Sequence, residues 1–396
     1  MKQQRPTYTT GDRFEGTIES IVPGGSGLIR GPRGVVLIEH AAPGDRLVVE
    51  IESVRSGAPR GTIVSIVEPG PARIEPPCPW YARCGGCDFQ HLTYDAQIEA
   101  KRQIVVDAFG RIGGIELSEE INVHPAPRPF GSRARVELHG DRQTREIGFY
   151  ERRSRRIVPI DHCMVSREEI DTALGAIRRS RQPLPAAIQL LAGNGEVRSE
   201  PAFPPVAGGS FWLKAGEFEY LVDPGSFFQS SLDLVPELID TVIGSFPEGG
   251  ELAWDLFCGP GLFSIPLAKS CAKVAGVDFD KRTIANANRS AGRNGIRNVS
   301  FAASDVYQWM SGRKRVDLQP DLIVVDPPRA GLDRRLAELL VERDVKRLTY
   351  VSCDPTTLAR DLRILTSGNL LLIDVSIFDL FPQTHHVETV VRLAAA

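Results

Sequence analysis

The chain has 396 residues, of which 42% are hydrophobic and 24% charged, as expected for two or three ordinary globular domains. Its net charge of −3 gives no sign of a nucleic-acid binder. No apolar run is long enough to cross a bilayer and we see no signal peptide, so we expect a cytoplasmic protein with no membrane partner. The seven cysteines are an odd number, which argues against a disulfide framework and favours metal binding or catalysis.

Residues 7–68 predict a small β-barrel. Short runs rich in β-branched residues, such as GVVLIEH and GTIVSIV, alternate with turn sequences such as PGGSG and APGD. Closure into a barrel of the oligonucleotide-binding type accounts for this pattern. The proline-rich stretch 67–77 is predicted to be a linker, so a first domain spans 1–70.

A cysteine cluster follows the linker. Three cysteines have the spacing C-x5-C-x2-C in CPWYARCGGC and a fourth lies downstream in IDHCMV: Cys78, Cys84, Cys87 and Cys163. The spacing fits two metal centres equally well. One is a zinc site, in which His91 or His162 supplies a ligand. The other is an iron–sulfur cluster held by four thiolates.

The segment after the cysteine cluster is predicted to be mixed α and β. Residues 93–113 have helical periodicity, and 125–222 combine strands and helices in an order that the sequence does not resolve. Nine arginines stand against four acidic residues between Arg128 and Arg156, a local charge of +5. This stretch is either a solvated face or a surface that contacts nucleic-acid phosphates.

From about residue 250 onward, apolar strands alternate with helical stretches. Strand candidates begin near Glu251, Lys273, Asn298, Pro320, Lys346, Asn369 and His386. Such alternation predicts a parallel, doubly wound α/β sheet. The last two strands have only FPQTH between them, too short for a crossover helix, so the seventh should run antiparallel to the sixth. Many S-adenosylmethionine methyltransferases have this seven-stranded, Rossmann-like architecture.

The first strand of this sheet leads into a glycine turn that is typical of a cofactor site. In ELAWDLFCGPGLFSIPLA, Gly259 and Gly261 allow a tight turn and a close approach by a ligand. Asp278 ends the next strand, seventeen residues after Gly261, where a carboxylate can accept both ribose hydroxyls. Asp305 and Asp326 end the third and fourth strands, and each alone could equally be a helix cap.

Cys353 follows the strand in YVSCDPTTLARDL, against the start of a helix, where a thiolate is favoured. A lone buried cysteine is often inert. The alternative is covalent methylation of pyrimidine C5, in which a thiolate adds to C6 and makes C5 nucleophilic. A base must then remove the C5 proton. Glu388 in FPQTHHVETV is the candidate base, and His385 and His386 beside it could be structural.

These motifs together resemble the RNA 5-methyluridine (uracil-C5) methyltransferase family. DLFCGPG, VDPPRAGL, SCDPTTLARDL, FPQTHHVETV, CGGCDFQHLTYDAQIEAK and GFYERRSRRIVPIDHC match family motifs in order, over essentially the whole chain. The chain is most similar to the branch that modifies 23S ribosomal RNA and carries an iron–sulfur cluster and an N-terminal TRAM domain.

The resemblance implies roles for individual residues. Cys353 would be the nucleophile and Glu388 the base. The implied S-adenosylmethionine contacts are Gln229, Phe257, Leu262, Asp278, Asp305 and Asp326, around the glycine turn. The implied ligands of a 4Fe–4S cluster are Cys78, Cys84, Cys87 and Cys163. Asp354 and Ser231 depart from the family pattern, which usually has asparagine at both positions.

The resemblance also implies three domains and an RNA partner. A TRAM-like, RNA-binding barrel spans 1–70, a central domain with the cluster and a basic RNA-binding surface spans 71–222, and the methyltransferase domain spans 223–396. Ribosomal RNA is favoured as the substrate and transfer RNA is the alternative; no protein partner is implied. An RNA cytosine-C5 methyltransferase fits less well, because that class has a second cysteine after Asp-Ala-Pro, whereas Asp326 is followed by Pro-Pro-Arg. A non-catalytic RNA-binding factor is the remaining alternative.

Overall fold

We describe a computed structural model of the protein over residues 7–54, 57–117, 121–312 and 318–396. The predicted N-terminal barrel is confirmed: five strands close in the order β1-β2-β3-β5-β4. They are β1 Arg13–Ile21, β2 Gly27–Gly31, β3 Gly34–Ile38, β4 Arg46–Ser53 and β5 Arg60–Glu68. Alternate residues of β4 fill the interior, since Leu47, Val49 and Ile51 are fully buried.

The predicted proline-rich linker is docked on the barrel. Arg73 donates to the buried carboxylate of Asp45, with Nη2 at 2.6 Å from Oδ2, and also to the carbonyl of His40. Gly70 donates its backbone N–H to the same carboxylate at 2.8 Å. Helix α1 (Tyr94–Ala108) then continues as a π-helical turn to Gly113, as the periodicity of 93–113 predicts.

A second, five-stranded antiparallel sheet forms the middle of the chain, in the order β11-β10-β7-β8-β9. Its strands are β7 Arg135–Gly140, β8 Ile147–Tyr150, β9 Ile157–Pro159, β10 Ala187–Gly193 and β11 Glu196–Glu200. Helix α2 (Glu168–Arg179) covers one face, where Leu174 and Ile177 pack against Leu190 and Ile188. A hairpin of β12 (Phe211–Ala215) and β13 (Phe218–Val222) follows.

The C-terminal part forms the large sheet. Its strands are β14 Leu252–Leu256, β15 Lys273–Asp278, β16 Val299–Ala303, β17 Leu322–Val325, β18 Arg347–Ser352, β19 Leu370–Phe378 and β20 Glu388–Ala395. The helices are α3 Val235–Ile243, α4 Ser264–Ser270, α5 Lys281–Arg293, α6 Val306–Ser311, α7 Arg334–Glu342 and α8 Pro355–Leu365. Neighbouring residues of β14 point to opposite faces, since Trp254 and Ala253 belong to separate apolar cores. As predicted, β20 is antiparallel to β19.

The sequence predicts seven strands for this sheet, whereas the described residues form eight. Their order is β16-β15-β14-β17-β18-β20-β19-β6. Strand β6 (Asn122–His124) pairs in parallel with β19 at the sheet edge, with Phe378 opposite His124. Three residues of mixed polarity have no periodicity that sequence reasoning could detect. Helix α1 also packs against α8, so helix α1 and strand β6 both pack with the C-terminal elements although they precede the central sheet in the chain. No helix in the described ranges is long and apolar enough to span a membrane.

Candidate active site

The register of β18 and β20 brings the predicted nucleophile and base together. Ser352 pairs with Thr389 across these antiparallel strands. Cys353 follows Ser352 and Glu388 precedes Thr389, so the two lie opposite each other at the end of the ladder. Cys353 is half-buried and Glu388 is buried. The two side chains are close enough that the charge of Glu388 raises the pKa of the Cys353 thiol.

Burial dominates the electrostatics of this pair. It raises the pKa of the Cys353 thiol to about 12, and the charge of Glu388 adds to the effect. Burial, followed by repulsion from Asp326, raises the pKa of the Glu388 carboxyl well above its usual range. The pKa of Asp326 is raised by burial and by repulsion from Asp255 and Asp278. Burial therefore favours the protonated form of both groups, and the Cys353 thiol is neutral at pH 7 although its place at a helix start predicts a favoured thiolate.

Arg329 opposes these shifts, and sequence reasoning missed it. Its guanidinium lowers the pKa of Cys353 by its charge and a hydrogen bond, and it lowers the pKa of Glu388 by its charge. The residue stands two positions after Pro327 in VDPPRAG, a motif in which only the aspartate was singled out from the sequence. Thr357 at the start of α8 donates its hydroxyl to the Arg329 carbonyl at 3.1 Å, which holds the loop beside the nucleophile.

Asp354, the first departure from the family pattern, is the N-cap of α8. Its Oδ1 accepts from the backbone N–H groups of Thr356 at 2.8 Å and Thr357 at 3.2 Å. Pro355 occupies the first helical turn, where its missing N–H costs nothing. Because aspartate and asparagine cap helices about equally well, the departure preserves the local geometry of the nucleophile.

The glycine turn after β14 is the tight turn that the motif predicts. Phe257, Gly259 and Gly261 have φ values of 64°, 53° and 92°. The N–H of Gly259 donates to Oδ2 of Asp278 at 3.0 Å, which joins the ends of β14 and β15. Leu262 is buried directly after the turn. The backbone thus comes close to the predicted ribose-binding carboxylate.

Asp255 is a further buried carboxyl in this region that sequence reasoning missed. It accepts a hydrogen bond from the Ser264 hydroxyl at 2.5 Å, and burial raises its pKa to about 7. Asp255 lies inside strand β14, three residues before Cys258, and the sequence around it shows only the apolar pattern of a strand. This hydrogen bond holds Ser264, the first residue of α4, against strand β14 shortly after the glycine turn.

Gln229, a predicted cofactor contact, is a buried amide without a hydrogen-bond partner among the described residues. It is 1% exposed, yet in the described part of the chain neither its amide nitrogen nor its amide oxygen has a hydrogen-bond partner. The hydroxyl of Ser231, the second departure from the family pattern, is unpaired in the same way. Buried amides are normally satisfied, and leaving one unpaired costs about 1–3 kcal/mol. The unpaired amide fits the predicted role of Gln229 in binding a polar ligand, and that contact stays a prediction.

Asp305 already has a structural role. It is exposed and caps α6, where its Oδ1 accepts from the N–H of Gln308 at 2.9 Å. Its position just after β16 is the carboxyl-end position that the sequence predicts. Its contact with a cofactor stays a prediction.

The four predicted metal ligands, Cys78, Cys84, Cys87 and Cys163, line one pocket. Trp80, Phe149 and Ile160 line it too, and burial raises the pKa of Cys87 to about 12. His162 reaches this pocket, whereas His91 hydrogen-bonds through Nδ1 to the Tyr81 hydroxyl at 2.6 Å. Among the described residues, no three His, Cys, Asp or Glu side chains are arranged to hold a metal ion. The metal centre therefore stays a prediction.

Several arginines of the 128–156 stretch make internal ion pairs. Four of the nine bind carboxylates: Arg128 with Asp233, Arg152 with Asp88, Arg153 with Glu39 and Arg156 with Glu151. Arg153 thereby joins the central sheet to the barrel. Arg155 is exposed between them. The basic surface is thus less highly charged than the residue count suggests.

Known proteins similar to this chain agree with the fold. Residues 211–396 match the family described as tRNA (Uracil-5-)-methyltransferase. An uncharacterized RNA methyltransferase of Halalkalibacterium halodurans is 31% identical over 99% of both chains, and one of Gloeobacter violaceus is 32% identical over 95% of both. The crystal structure of Pyrococcus abyssi tRNA (uracil-54, C5)-methyltransferase with S-adenosyl-L-homocysteine superimposes with a TM-score of 0.74, at 26% identity, over 96% of this chain and 100% of that one.

The doubly wound sheet, its glycine turn and the whole-length relatives define an S-adenosylmethionine-dependent RNA methyltransferase. Within that class, the chain belongs to the RNA uracil-5-methyltransferase family.

Proposed function

We propose that the protein transfers a methyl group from S-adenosylmethionine to C5 of one uridine in RNA through a covalent adduct between Cys353 and C6 of uracil. The observation that carries this proposal is the register of Ser352 with Thr389, which sets Cys353 opposite Glu388. Incubation with radiolabelled S-adenosylmethionine and RNA, followed by digestion to nucleosides, tests it. The label should appear in 5-methyluridine; label in 5-methylcytidine would favour the cytosine alternative.

Each protein residue has a defined task in this reaction. The Cys353 thiolate adds to C6, and the electron pair of the C5–C6 double bond moves toward the O4 carbonyl, which makes C5 nucleophilic. S-adenosylmethionine supplies the electrophilic methyl group when bound. The Glu388 carboxylate then takes the proton from C5, and the electron pair that is released expels the Cys353 sulfur. Arg329 favours the thiolate that starts the sequence.

The raised pKa of Cys353 favours the neutral thiol until the substrates bind. In the isolated protein this thiol is protonated and therefore a poor nucleophile, and burial also favours the protonated form of the Glu388 carboxyl. A bound sulfonium would carry a positive charge, which favours the thiolate form of Cys353 in the step before methyl transfer. The unpaired amide of Gln229 and the carboxylate of Asp278 are the groups we assign to that cofactor, with Phe257, Gly259, Gly261, Leu262, Asp305 and Asp326 around them.

We propose 23S ribosomal RNA as the substrate, in line with the TRAM-like barrel and the cysteine cluster. The second candidate is transfer RNA, because the Pyrococcus abyssi structure that superimposes along the whole chain is a transfer RNA uracil-54 methyltransferase. Mapping 5-methyluridine in ribosomal and transfer RNA, from strains with and without the gene, distinguishes the two. Loss of one 23S site supports the first proposal, and loss of a transfer RNA site supports the second.

We also propose a 4Fe–4S cluster bound by Cys78, Cys84, Cys87 and Cys163. The supporting observation is that all four thiols line one pocket although Cys163 lies far from the others in sequence. Protein purified without oxygen should be brown, with about four iron atoms per chain. Stoichiometric zinc without iron would contradict the proposal. We assign the cluster a structural role, because four cysteine ligands leave none of its irons open.

A further inference from the structure

The segment that carries the cysteines also contacts the loop that leads to Glu388. This base loop runs from Phe381 to Val387, directly before β20. The backbone N–H groups of Asp88 and Phe89 both donate to the carbonyl of Gln383, at 2.9 Å and 3.0 Å. Asp88 follows Cys87 immediately, so the wall of the cysteine pocket and the base loop share one backbone junction.

The Asp88 side chain makes the most specific contact of this junction. Its Oδ2 lies 2.6 Å from Nδ1 of His385 and accepts from the backbone N–H of His385 at 3.2 Å. Its Oδ1 accepts from Arg152 at 2.5 Å, and the same guanidinium donates to the carbonyl of Cys87 at 2.8 Å. Arg152 therefore fixes one oxygen of the carboxylate on the side of the cysteine pocket, and the other oxygen holds His385 of the base loop.

Other groups hold the base loop upstream of His385. The Gln97 side chain donates to the Gln383 amide oxygen at 3.0 Å and accepts from the Gln383 backbone N–H at 3.1 Å. Lys101 donates to the Phe381 carbonyl at 3.0 Å. Gln383 itself has a φ of 69°, a conformation that a non-glycine residue keeps only when its surroundings enforce it.

We propose that Asp88 is a positioning residue for the general base: through His385 it fixes the base loop, so that Glu388 faces the C5 proton of the Cys353 adduct. This inference rests on the proposed function and adds a role for the cysteine-bearing segment in one chemical step. Asp88 acts on proton abstraction, which needs Glu388 in place. It leaves thiolate addition and methyl transfer to residues on other elements.

Two pairs of variants test this role. Asp88→Asn keeps the size of the side chain but removes its charge and one acceptor. Asp45→Asn is the control, because Asp45 is also a buried carboxylate that binds an arginine, but in the barrel. His385→Asn keeps a donor near the position of Nδ1, whereas His385→Ala removes it. A role of His385 as base would make both His385 variants inactive, so the pair separates positioning from proton transfer.

The first readout is a single turnover on substrate RNA that follows methyl transfer and adduct decay separately. For Asp88→Asn and His385→Ala we expect adduct decay to slow roughly ten- to a hundredfold, the range that a small misplacement of a catalytic group produces. Methyl transfer and the KM for S-adenosylmethionine should be unchanged. Asp45→Asn and His385→Asn should release RNA at the wild-type rate. Equal slowing of both steps, or decay at the wild-type rate in Asp88→Asn, would overturn the inference.

The second readout is hydrogen exchange of the full-length protein, which does not depend on activity. The backbone amide of His385 should exchange at least about tenfold faster in Asp88→Asn, because its acceptor is weakened, while Asp45→Asn should not change it. Unchanged exchange in Asp88→Asn would overturn the inference even if the methyltransferase activity is confirmed. If the wild-type protein forms no RNA adduct, the proposed function fails and the exchange result alone decides whether Asp88 holds the loop.

Discussion

Lys101 and Asp379 form an ion pair in which each side chain is only 1% exposed. Lys101 lies on α1, and Asp379 follows β19 at the start of the connection to Glu388. The Tyr94 hydroxyl also binds Asp379, at 2.8 Å. This pair fixes helix α1, which precedes strand β14 by more than a hundred residues, to the segment that carries the proposed base.

Replacing Lys101 should therefore destabilise the protein strongly. Lys101→Met leaves the Asp379 charge buried without its cation, which costs about 3–5 kcal/mol in free energy of unfolding. The double variant Lys101→Met/Asp379→Asn removes the stranded charge and should recover part of that loss. Urea unfolding of the three proteins measures both effects. A loss below about 1 kcal/mol in the single variant, as for exposed pairs, would show that the pair is solvated.

The reactivity of Cys353 should report its raised pKa. A thiol with a pKa of about 12 is neutral at pH 7, so alkylation should rise roughly tenfold per pH unit and show no plateau by pH 9.5. Arg329→Gln removes the charge that favours the thiolate and should slow alkylation at every pH. Arg334→Gln is the control, because Arg334 is an exposed arginine five residues further along the chain that forms an ion pair with Glu338. Mass spectrometry of the Cys353 peptide measures the rate of alkylation. A plateau near pH 8 would contradict the raised pKa of the thiol.

The N-cap of α8 gives a prediction that separates two closely related variants. Asp354→Ala removes both hydrogen bonds to the first turn and should lower the free energy of unfolding by about 1 kcal/mol. Asp354→Asn restores the residue usual in the family and should be neutral within about 0.5 kcal/mol, because asparagine caps as well. Thermal unfolding measures the difference. Equal losses in the two variants would mean that charge, not hydrogen bonding, is what matters at this position.

The arginine stretch makes a prediction about RNA. Arg155→Glu should weaken binding and reduce the dependence of log K on log salt by about one unit for a lost phosphate contact. Arg153→Glu also breaks the contact with Glu39 of the barrel, so it should additionally lower stability. Filter binding at several salt concentrations measures the slope. An unchanged affinity and slope for Arg155→Glu would mean that this residue belongs to a solvated face.

Local patterns in the sequence were sufficient for much of the fold and the site. The barrel, the alternation of strands and helices after residue 250 and the antiparallel β20 follow from periodicity and loop length, which act over short distances. The glycine turn with Asp278 follows from the same local logic.

The features that sequence reasoning missed depend on contacts between distant segments. Strand β6 is too short to show a period, and it is recognisable only from its pairing with β19. Asp88 and His385 are 297 positions apart, so no local pattern could connect them. Arg329 stood inside a quoted motif, but its effect on Cys353 depends on how α8 and the preceding loop pack. The ion pairs of the arginine stretch likewise join it to carboxylates from several parts of the chain.

The covalent step is the central claim, and trapping the enzyme on RNA tests it most directly. Cys353→Ala should bind S-adenosylmethionine but form no covalent RNA complex and transfer no methyl group. Glu388→Gln keeps the shape of the side chain and removes the base, so it should methylate ordinary uridine RNA and remain attached to it. Denaturing gels, with the attachment site located by mass spectrometry, give the result. An adduct of Glu388→Gln at Cys353 is the predicted outcome; rapid release by Glu388→Gln, or attachment at Cys258 instead, would contradict the mechanism.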